Sequence, residues 1–122
     1  MSSTNTASDE LREILAEYFN HYRNISDIES FKNPLSKVSE ELRYELLSSI
    51  TDRDGYTVLT EAARRGDTEL CVTLLSYLPQ ADRLNLILIN EHTAIHTAAY
   101  WHYTETISGI LNCLTADQQL QL

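Results

Sequence analysis

Three histidines and a cysteine in the last third of the chain are the residues best suited to metal binding or nucleophilic chemistry. His92 and His96 have the i, i+4 spacing with which two imidazoles on one helix face can bind zinc. Thr93 is expected to begin that helix, which leaves His92 outside it. Cys113 beside a histidine could act as a thiolate nucleophile, although no spacing favours the pair. A small enzyme or metal-binding protein that uses His92, His96, His102 and Cys113 is therefore the alternative hypothesis, while structural roles are favoured.

Other catalytic patterns are weak or absent in the sequence. The carboxylate pairs Asp52/Asp54 and Glu40/Glu41 are more typical of a loop and of a helix start than of an acid–base pair. The chain has three glycines and neither a GxxxxGK(S/T) nor a GxGxxG phosphate-binding loop. We therefore predict no catalytic residue, no cofactor and no metal site.

The composition indicates one acidic domain. Its 122 residues fit a single domain, and 43% apolar with 22% charged residues is ordinary for a folded protein. Nine basic residues against 18 acidic ones give a net charge of −9, which disfavours nucleic acid and favours a basic protein partner. No apolar run approaches the roughly 20 residues of a membrane span, so no membrane association is expected.

The first residues and the cysteines predict the compartment. The opening MSSTNTAS lacks the basic start and apolar run of a secretory signal peptide. The two cysteines lie in apolar helical patterns and are expected to be buried thiols of a reducing compartment. We therefore expect a cytoplasmic protein.

Helical periodicity governs the N-terminal part of the chain. Residues 1–7 are small and polar and are predicted to be disordered. Residues 8–50 are predicted to be helical, with Ser8 capping a first helix. A short helix around residues 28–31 is expected to end before Pro34, and a longer one to run from Ser36 or Ser39 to Ile50. The apolar face of the first helix is Leu11, Ile14, Leu15, Tyr18, Phe19 and Tyr22.

Residues 51–122 repeat themselves with an offset of 36 residues. The segment TVLTEAA at 57–63 aligns with TAIHTAA at 93–99, and apolar positions downstream keep the offset. The two copies, at about 51–78 and 87–114, each predict two antiparallel helices, at 58–65 and 68–77 and at 94–102 and 104–114. Residues 78–87 predict a further short helix with Pro79 near its start. We predict an all-α fold with a helical N-terminal cap, two helix–turn–helix repeats and a partial third unit at 114–122.

The two copies resemble ankyrin repeats, whose pattern is roughly D-x-x-G-x-T-P-L-H-x-A-A-x-x-G-x-x-E-x-V-x-x-L-L. The chain departs from it where Val58 and Ala94 replace the proline, and where Glu91 and His102 replace the two glycines. The longer, helix-linked repeats are similar to divergent ankyrin proteins among effectors of intracellular bacteria such as Legionella. This resemblance implies the bacterial cytosol or, for a translocated effector, the host cytosol. The matching positions are Asp52, Gly55, Thr57, Leu59, Ala62, Ala63, Gly66, Glu69, Leu74 and Leu75, then Thr93, Ile95, His96, Ala98, Ala99, Glu105, Ile107, Ile110 and Leu111.

This resemblance implies a protein-binding surface made by the first helix of each repeat and the loop before it. It also implies that the His96 imidazole bridges backbone groups of neighbouring turns. Tyr, Trp and Arg are the residue types that dominate interface hot spots. The candidate protein-binding residues are Arg53, Tyr56, Arg64, Arg65, Glu91, His92, Tyr100, Trp101 and Tyr103.

The expected function is therefore a non-enzymatic protein–protein interaction domain. A small acidic binder of this kind would act as a stoichiometric inhibitor or regulator of a partner protein, such as an effector enzyme or a host protein. A third hypothesis is a dimerisation module, because Leu120 and Leu122 are expected to be exposed and an exposed apolar end favours a homodimer.

Overall fold

The computed structural model describes residues 3–20, 28–89 and 93–122, with side chains from Ala7 onward. Within these ranges the regular secondary structure is helical, apart from one isolated β-bridge between Thr51 and Thr57. The all-α prediction is confirmed for this part of the chain. The helices are α1 (Ser3–Asn20), α2 (Ile28–Lys37), α3 (Glu40–Ser49), α4 (Val58–Arg65), α5 (Thr68–Ser76), α6 (Gln80–Ile87), α7 (Ala94–Tyr100), α8 (Thr104–Asn112) and α9 (Ala116–Gln119).

The described helices stack as three successive layers: layer 1 is α1 to α3, layer 2 is α4 to α6 and layer 3 is α7 to α9. α1, α4 and α7 form one row, α2, α5 and α8 form a second row, and α3 packs against α6 in a third. α9 joins the third row through Gln118, whose Nε2 donates to the Gln80 carbonyl oxygen of α6 at 2.8 Å. The N-terminal region, predicted as a cap, thus has the same helix order as the two layers that follow it.

The turn between the first two helices of a layer recurs at the offset read from the sequence. In layer 2 the Asp67 N–H donates to the Ala62 carbonyl oxygen at 2.9 Å, and the bond 36 residues later has the same length. Gly66 has a φ of +71° and His102, at the equivalent position, a φ of +61°. His102 is the one described non-glycine residue with positive φ, so the replaced glycine leaves a strained turn in layer 3.

Threonine caps fix the starts of the first helices in layers 2 and 3. The Thr57 hydroxyl accepts from the Thr60 N–H at 3.3 Å, and the Thr93 hydroxyl accepts from the His96 N–H at 3.2 Å. α4 has the predicted bounds, whereas α7 ends at Tyr100 instead of residue 102. The caps set the phase of both helices, which decides which side chains face the next layer.

Two boundaries in the N-terminal region differ from the prediction. α1 begins at Ser3, five residues before the expected cap at Ser8, because Ala7 and Ser8 are buried and packing extends the helix. Residues 3–7 are therefore helical where disorder was expected, and residues 1–2 lie outside the described residues. Pro34 lies inside α2 and is buried there, although it was expected to mark a boundary. Burial of its ring offsets the backbone hydrogen bond that proline removes.

Small residues let the layers approach closely. Ala62, Ala94 and Ala98 are fully buried where α4 packs on α7, whereas Ala99 is exposed because α7 is the last helix of its row. In the second row, a Cβ added at Gly109 of α8 would lie 3.1 Å from side-chain atoms of α5. The alanines of the repeat therefore make the contact between layers 2 and 3, except Ala99, which has no further layer to pack against.

Arginines of the third row connect neighbouring layers. Arg43 of α3 donates from Nε to the Leu35 carbonyl oxygen at 2.6 Å and from Nη1 to the Tyr77 carbonyl oxygen at 3.0 Å. Leu35 lies in the last turn of α2 and Tyr77 is the C-cap of α5, so one guanidinium binds terminal carbonyl groups of two helices.

Arg83 of α6 repeats this arrangement one layer along. Its Nε donates to the Leu78 carbonyl oxygen at 3.1 Å and its Nη1 to the Cys113 carbonyl oxygen at 3.0 Å. At the equivalent position in layer 3, Gln119 donates to the Leu111 carbonyl oxygen of its own layer at 2.8 Å. The two arginines therefore hold three layers in register.

Candidate functional site

A groove of about 370 Å³ lies between α4 and α7, and we call it the α4–α7 groove. Layer 2 supplies its first wall, and layer 3 supplies the second wall. Four of the predicted binding residues meet there, although the first and last of them are 45 residues apart in sequence. The lining side chains are Tyr56, Thr60, Arg64, His96, Thr97, Tyr100 and Trp101.

The aromatic wall of the groove comes from the end of α7. Ala94 and Ala98 occupy the buried side of this helix, which leaves Tyr100 and Trp101 on its open side. Tyr100 is 75% exposed and Trp101 is 49% exposed. Their ring centroids lie 5.2 Å apart with planes at 81°, an edge-to-face pair. Two large aromatic rings therefore remain accessible to a ligand at this edge of the stack.

Arg64 reaches the groove from the opposite wall, held by a buried carboxylate. Its Nε and Nη2 donate to the two carboxylate oxygens of Glu61 at 2.9 and 2.6 Å. Burial alone would raise the pKa of Glu61, but the hydrogen bonds from Arg64 and Arg65 outweigh it and lower the pKa. The carboxylate stays ionised and fixes the direction of a half-exposed guanidinium.

Arg65, another predicted binding residue, does not line the groove. Its side chain is 10% exposed and donates to Glu61 at 2.7 Å and to the Tyr18 carbonyl oxygen at 2.7 Å. The guanidinium also lies 4.2 Å from the centre of the Tyr18 ring. Arg65 faces inward because the buried Glu61 and the aromatic ring of layer 1 both attract it. It links layers 1 and 2 and borders a second pocket, beside α1.

Tyr18 completes this inter-layer contact. Burial first and then the neighbouring Asp67 carboxylate raise the pKa of Tyr18, so its phenol stays protonated. The phenol donates to Asp67 Oδ2 at 3.3 Å. The two arginines of α4 are thus balanced by two carboxylates, Glu61 and Asp67, within one cluster.

The remaining predicted binding residues lie elsewhere. Tyr103 is half-buried, with its ring against Gly66 of the preceding turn, so it packs between turns and is not part of the groove. Arg53 is exposed on the loop before α4 and borders a separate polar pocket of about 600 Å³ beside α1. Glu91 and His92 lie outside the described residues.

The groove contains three residues that the prediction did not include. Thr60, His96 and Thr97 line it together with the predicted residues. Thr60 and Arg64 are four residues apart on α4, and His96 and Tyr100 are four apart on α7. Thr97 likewise precedes Trp101 by four residues, so helical i, i+4 spacing from the predicted residues would have identified all three.

The described histidines and cysteines of the alternative hypothesis, His96, His102 and Cys113, do not form a metal-binding group. His96 is exposed, and its Nδ1 lies 3.2 Å from the Thr93 hydroxyl instead of bridging buried backbone groups. No group of three or more metal-ligating side chains occurs among the described residues. Burial raises the pKa of Cys113, which outweighs the lowering effect of Arg83, and burial likewise raises that of Cys71. Both free thiols therefore stay protonated, which disfavours nucleophilic chemistry.

Three comparisons with known proteins found no match to this chain. No family model matches the chain, and no curated protein or solved structure matches it. In the described part of the chain, no helix is long and apolar enough to cross a membrane.

Proposed function

We propose that this chain is a non-enzymatic protein–protein interaction domain of the ankyrin-repeat kind. It would act as a stoichiometric inhibitor or regulator of a partner protein, such as an effector enzyme or a host protein in the cytoplasm. The observation that carries the proposal is the α4–α7 groove, in which Tyr56 and Arg64 of one layer meet Tyr100 and Trp101 of the next.

The recurring layer geometry supports the ankyrin part of this proposal. The helices α4 and α7 each begin at a threonine cap and are followed by a left-handed turn, with 36 residues between equivalent positions. The groove lies on the first helices and the loop before α4, the surface that the resemblance implies for partner binding. Tyr56 belongs to that loop and Trp101 to the end of α7.

The exposed aromatic residues support a binding role on energetic grounds. Trp101 and Tyr100 belong to the residue types that contribute most to interface hot spots, where truncation costs about 2 kcal/mol or more. In a chain of net charge −9, two exposed rings beside an ion-paired arginine form a surface with apolar, aromatic and hydrogen-bonding character. Such a mixed surface suits a protein ligand better than nucleic acid.

A second candidate is self-association through the C-terminal end. Leu120 is 86% exposed and Leu122 is 45% exposed, and both follow the last helix. Burying these two leucines between two copies would favour a symmetric dimer. This surface is separate from the groove residues, so the two candidates can be tested independently.

The test compares two double variants in affinity capture from lysates of candidate source and host cells. Tyr100→Ala/Trp101→Ala should lose a specific protein that wild type retains, while helicity measured by circular dichroism stays unchanged. Leu120→Ala/Leu122→Ala is the matched control and should retain that protein. Equal capture by all three proteins would contradict binding through the groove. A dimer in light scattering that disappears only in the leucine variant would favour self-association instead.

A further inference from the structure

We propose that the α4–α7 groove is a recognition pocket for a cationic side chain, a lysine or arginine of the partner protein. This inference deepens the proposed function, because the cation is carried by the bound protein. Two observations carry it: the arrangement of the aromatic rings and the distribution of charge around them.

The aromatic rings form two adjacent walls. The Tyr100 and Trp101 planes stand at 81° with centroids 5.2 Å apart, so the edge of one ring is directed at the other. Trp101 keeps about half of its surface exposed and Tyr100 about three quarters, so both rings have area left for a ligand. Tyr56 adds a third ring from the loop of layer 2. A cation within about 6 Å of such faces is attracted by the ring quadrupoles.

The charges that border the groove permit a cation. Arg64 is the one Lys or Arg among the lining residues, and its guanidinium is paired through two hydrogen bonds with Glu61. Arg65 is the second arginine bound to Glu61, and its guanidinium also lies over the Tyr18 ring. The Tyr18 phenol in turn donates to the Asp67 carboxylate, which adds a second acidic group. The ion-paired cluster behind the α4 wall therefore contains equal numbers of basic and acidic groups.

The layer that supplies the aromatic wall is purely acidic apart from its histidines. No lysine or arginine follows Arg83 in the sequence, whereas Glu105 and Asp117 lie in the described part of layer 3. The whole chain carries a net charge of −9. Electrostatic attraction would bring a basic segment to this end of the stack, and the aromatic faces would then select the cationic side chain.

The experiment uses Trp101, the only tryptophan in the chain, as the reporter. Three blocked tripeptides, acetyl-Gly-Lys-Gly-amide, acetyl-Gly-Arg-Gly-amide and the norleucine equivalent, are titrated while tryptophan fluorescence and the indole N–H signal in NMR are followed. The lysine and arginine peptides should bind at least about threefold more tightly than the norleucine peptide. Repeating the titration in 0.5 M NaCl removes long-range attraction, and the preference should persist because it comes from direct contact.

A matched pair of variants places or omits a charge in the groove. Because Thr97 lines the groove, the two variants are compared with each other: Thr97→Lys should bind the lysine peptide at least threefold more weakly than Thr97→Gln does, whereas the two variants should bind the norleucine peptide equally. Equal or tighter binding of the norleucine peptide would overturn the proposal and identify an apolar pocket. Absence of any effect on Trp101 by all three peptides would also overturn it.

The outcome is separable from that of the proposed function. If the partner is lost from Tyr100→Ala/Trp101→Ala but the peptides show no preference for charge, groove-mediated binding stands and cation recognition fails. If the cationic peptides bind selectively but partner capture does not depend on the two rings, cation recognition stands and the proposed function fails.

Discussion

Exchanging residue types at the two left-handed turns should change stability in opposite directions. Gly66 has a φ of +71°, a conformation that costs an L-residue about 1–2 kcal/mol. A Cβ at this position would also lie 3.0 Å from the Tyr103 ring. We expect Gly66→Ala to lower the free energy of unfolding by about 1–3 kcal/mol.

The reverse change at His102 should stabilise the protein. His102→Gly removes the strain of a φ of +61°, about 1–2 kcal/mol, while the added backbone freedom of the unfolded chain costs about 0.5–1 kcal/mol. The net expectation is a gain of about 0.5–1 kcal/mol.

Urea unfolding followed by circular dichroism at 222 nm measures both changes. His102→Ala is the control, because it removes the imidazole but keeps a Cβ in the left-handed conformation, and it should not stabilise the protein. The reasoning would be refuted if His102→Gly were no more stable than His102→Ala, or if Gly66→Ala unfolded at the same urea concentration as wild type.

Three further predictions concern the packing between layers, the ion pairs on α4 and the arginine that joins layers 2 and 3. Ala98→Leu should destabilise the protein by about 1–3 kcal/mol in urea unfolding through overpacking against α4, whereas Ala99→Leu, on the exposed side of α7, should change stability by less than about 0.5 kcal/mol. Glu61→Gln should cost about 2–4 kcal/mol, because two arginines lose their buried counter-charge. Folding lowers the pKa of Glu61, so the ionised carboxylate contributes its full stabilisation above the unfolded pKa of about 4.3, and this stabilisation is lost as the pH falls through the folded pKa. The difference in unfolding free energy between wild type and Glu61→Gln, measured from pH 7 to pH 3, should therefore shrink on acidification. Arg83→Met should cost about 1–3 kcal/mol and speed amide hydrogen exchange at the ends of α5 and α8, and unchanged exchange there would argue against its linking role.

Local signals explain the parts of the fold that were predictable from sequence. The bounds of α4 followed from the threonine before it and the glycine after it, and both act within one helical turn. The 36-residue offset then transferred this reading to α7. The three predicted groove residues on or at the end of these helices, Arg64, Tyr100 and Trp101, follow directly from that register.

The features that depend on contacts between layers could not be predicted in this way. Arg65 follows Arg64 in the sequence, and nothing local distinguishes an arginine that folds onto Tyr18 from one that faces solvent. The early start of α1 at Ser3 depends likewise on burial of Ala7 against the rest of the core. The N-terminal layer lacks the repeat motif, so its match in helix order became evident only from the packing.

Calorimetric binding of the captured partner to Tyr56→Ala, Trp101→Ala and the combined variant would test the central claim most directly, since these residues come from different layers. The account predicts that each single variant weakens binding at least fivefold and that the combined effect departs from the product of the two, because both side chains contact one occupant of the groove. Full affinity in both single variants would contradict the claim that the two layers form one binding site.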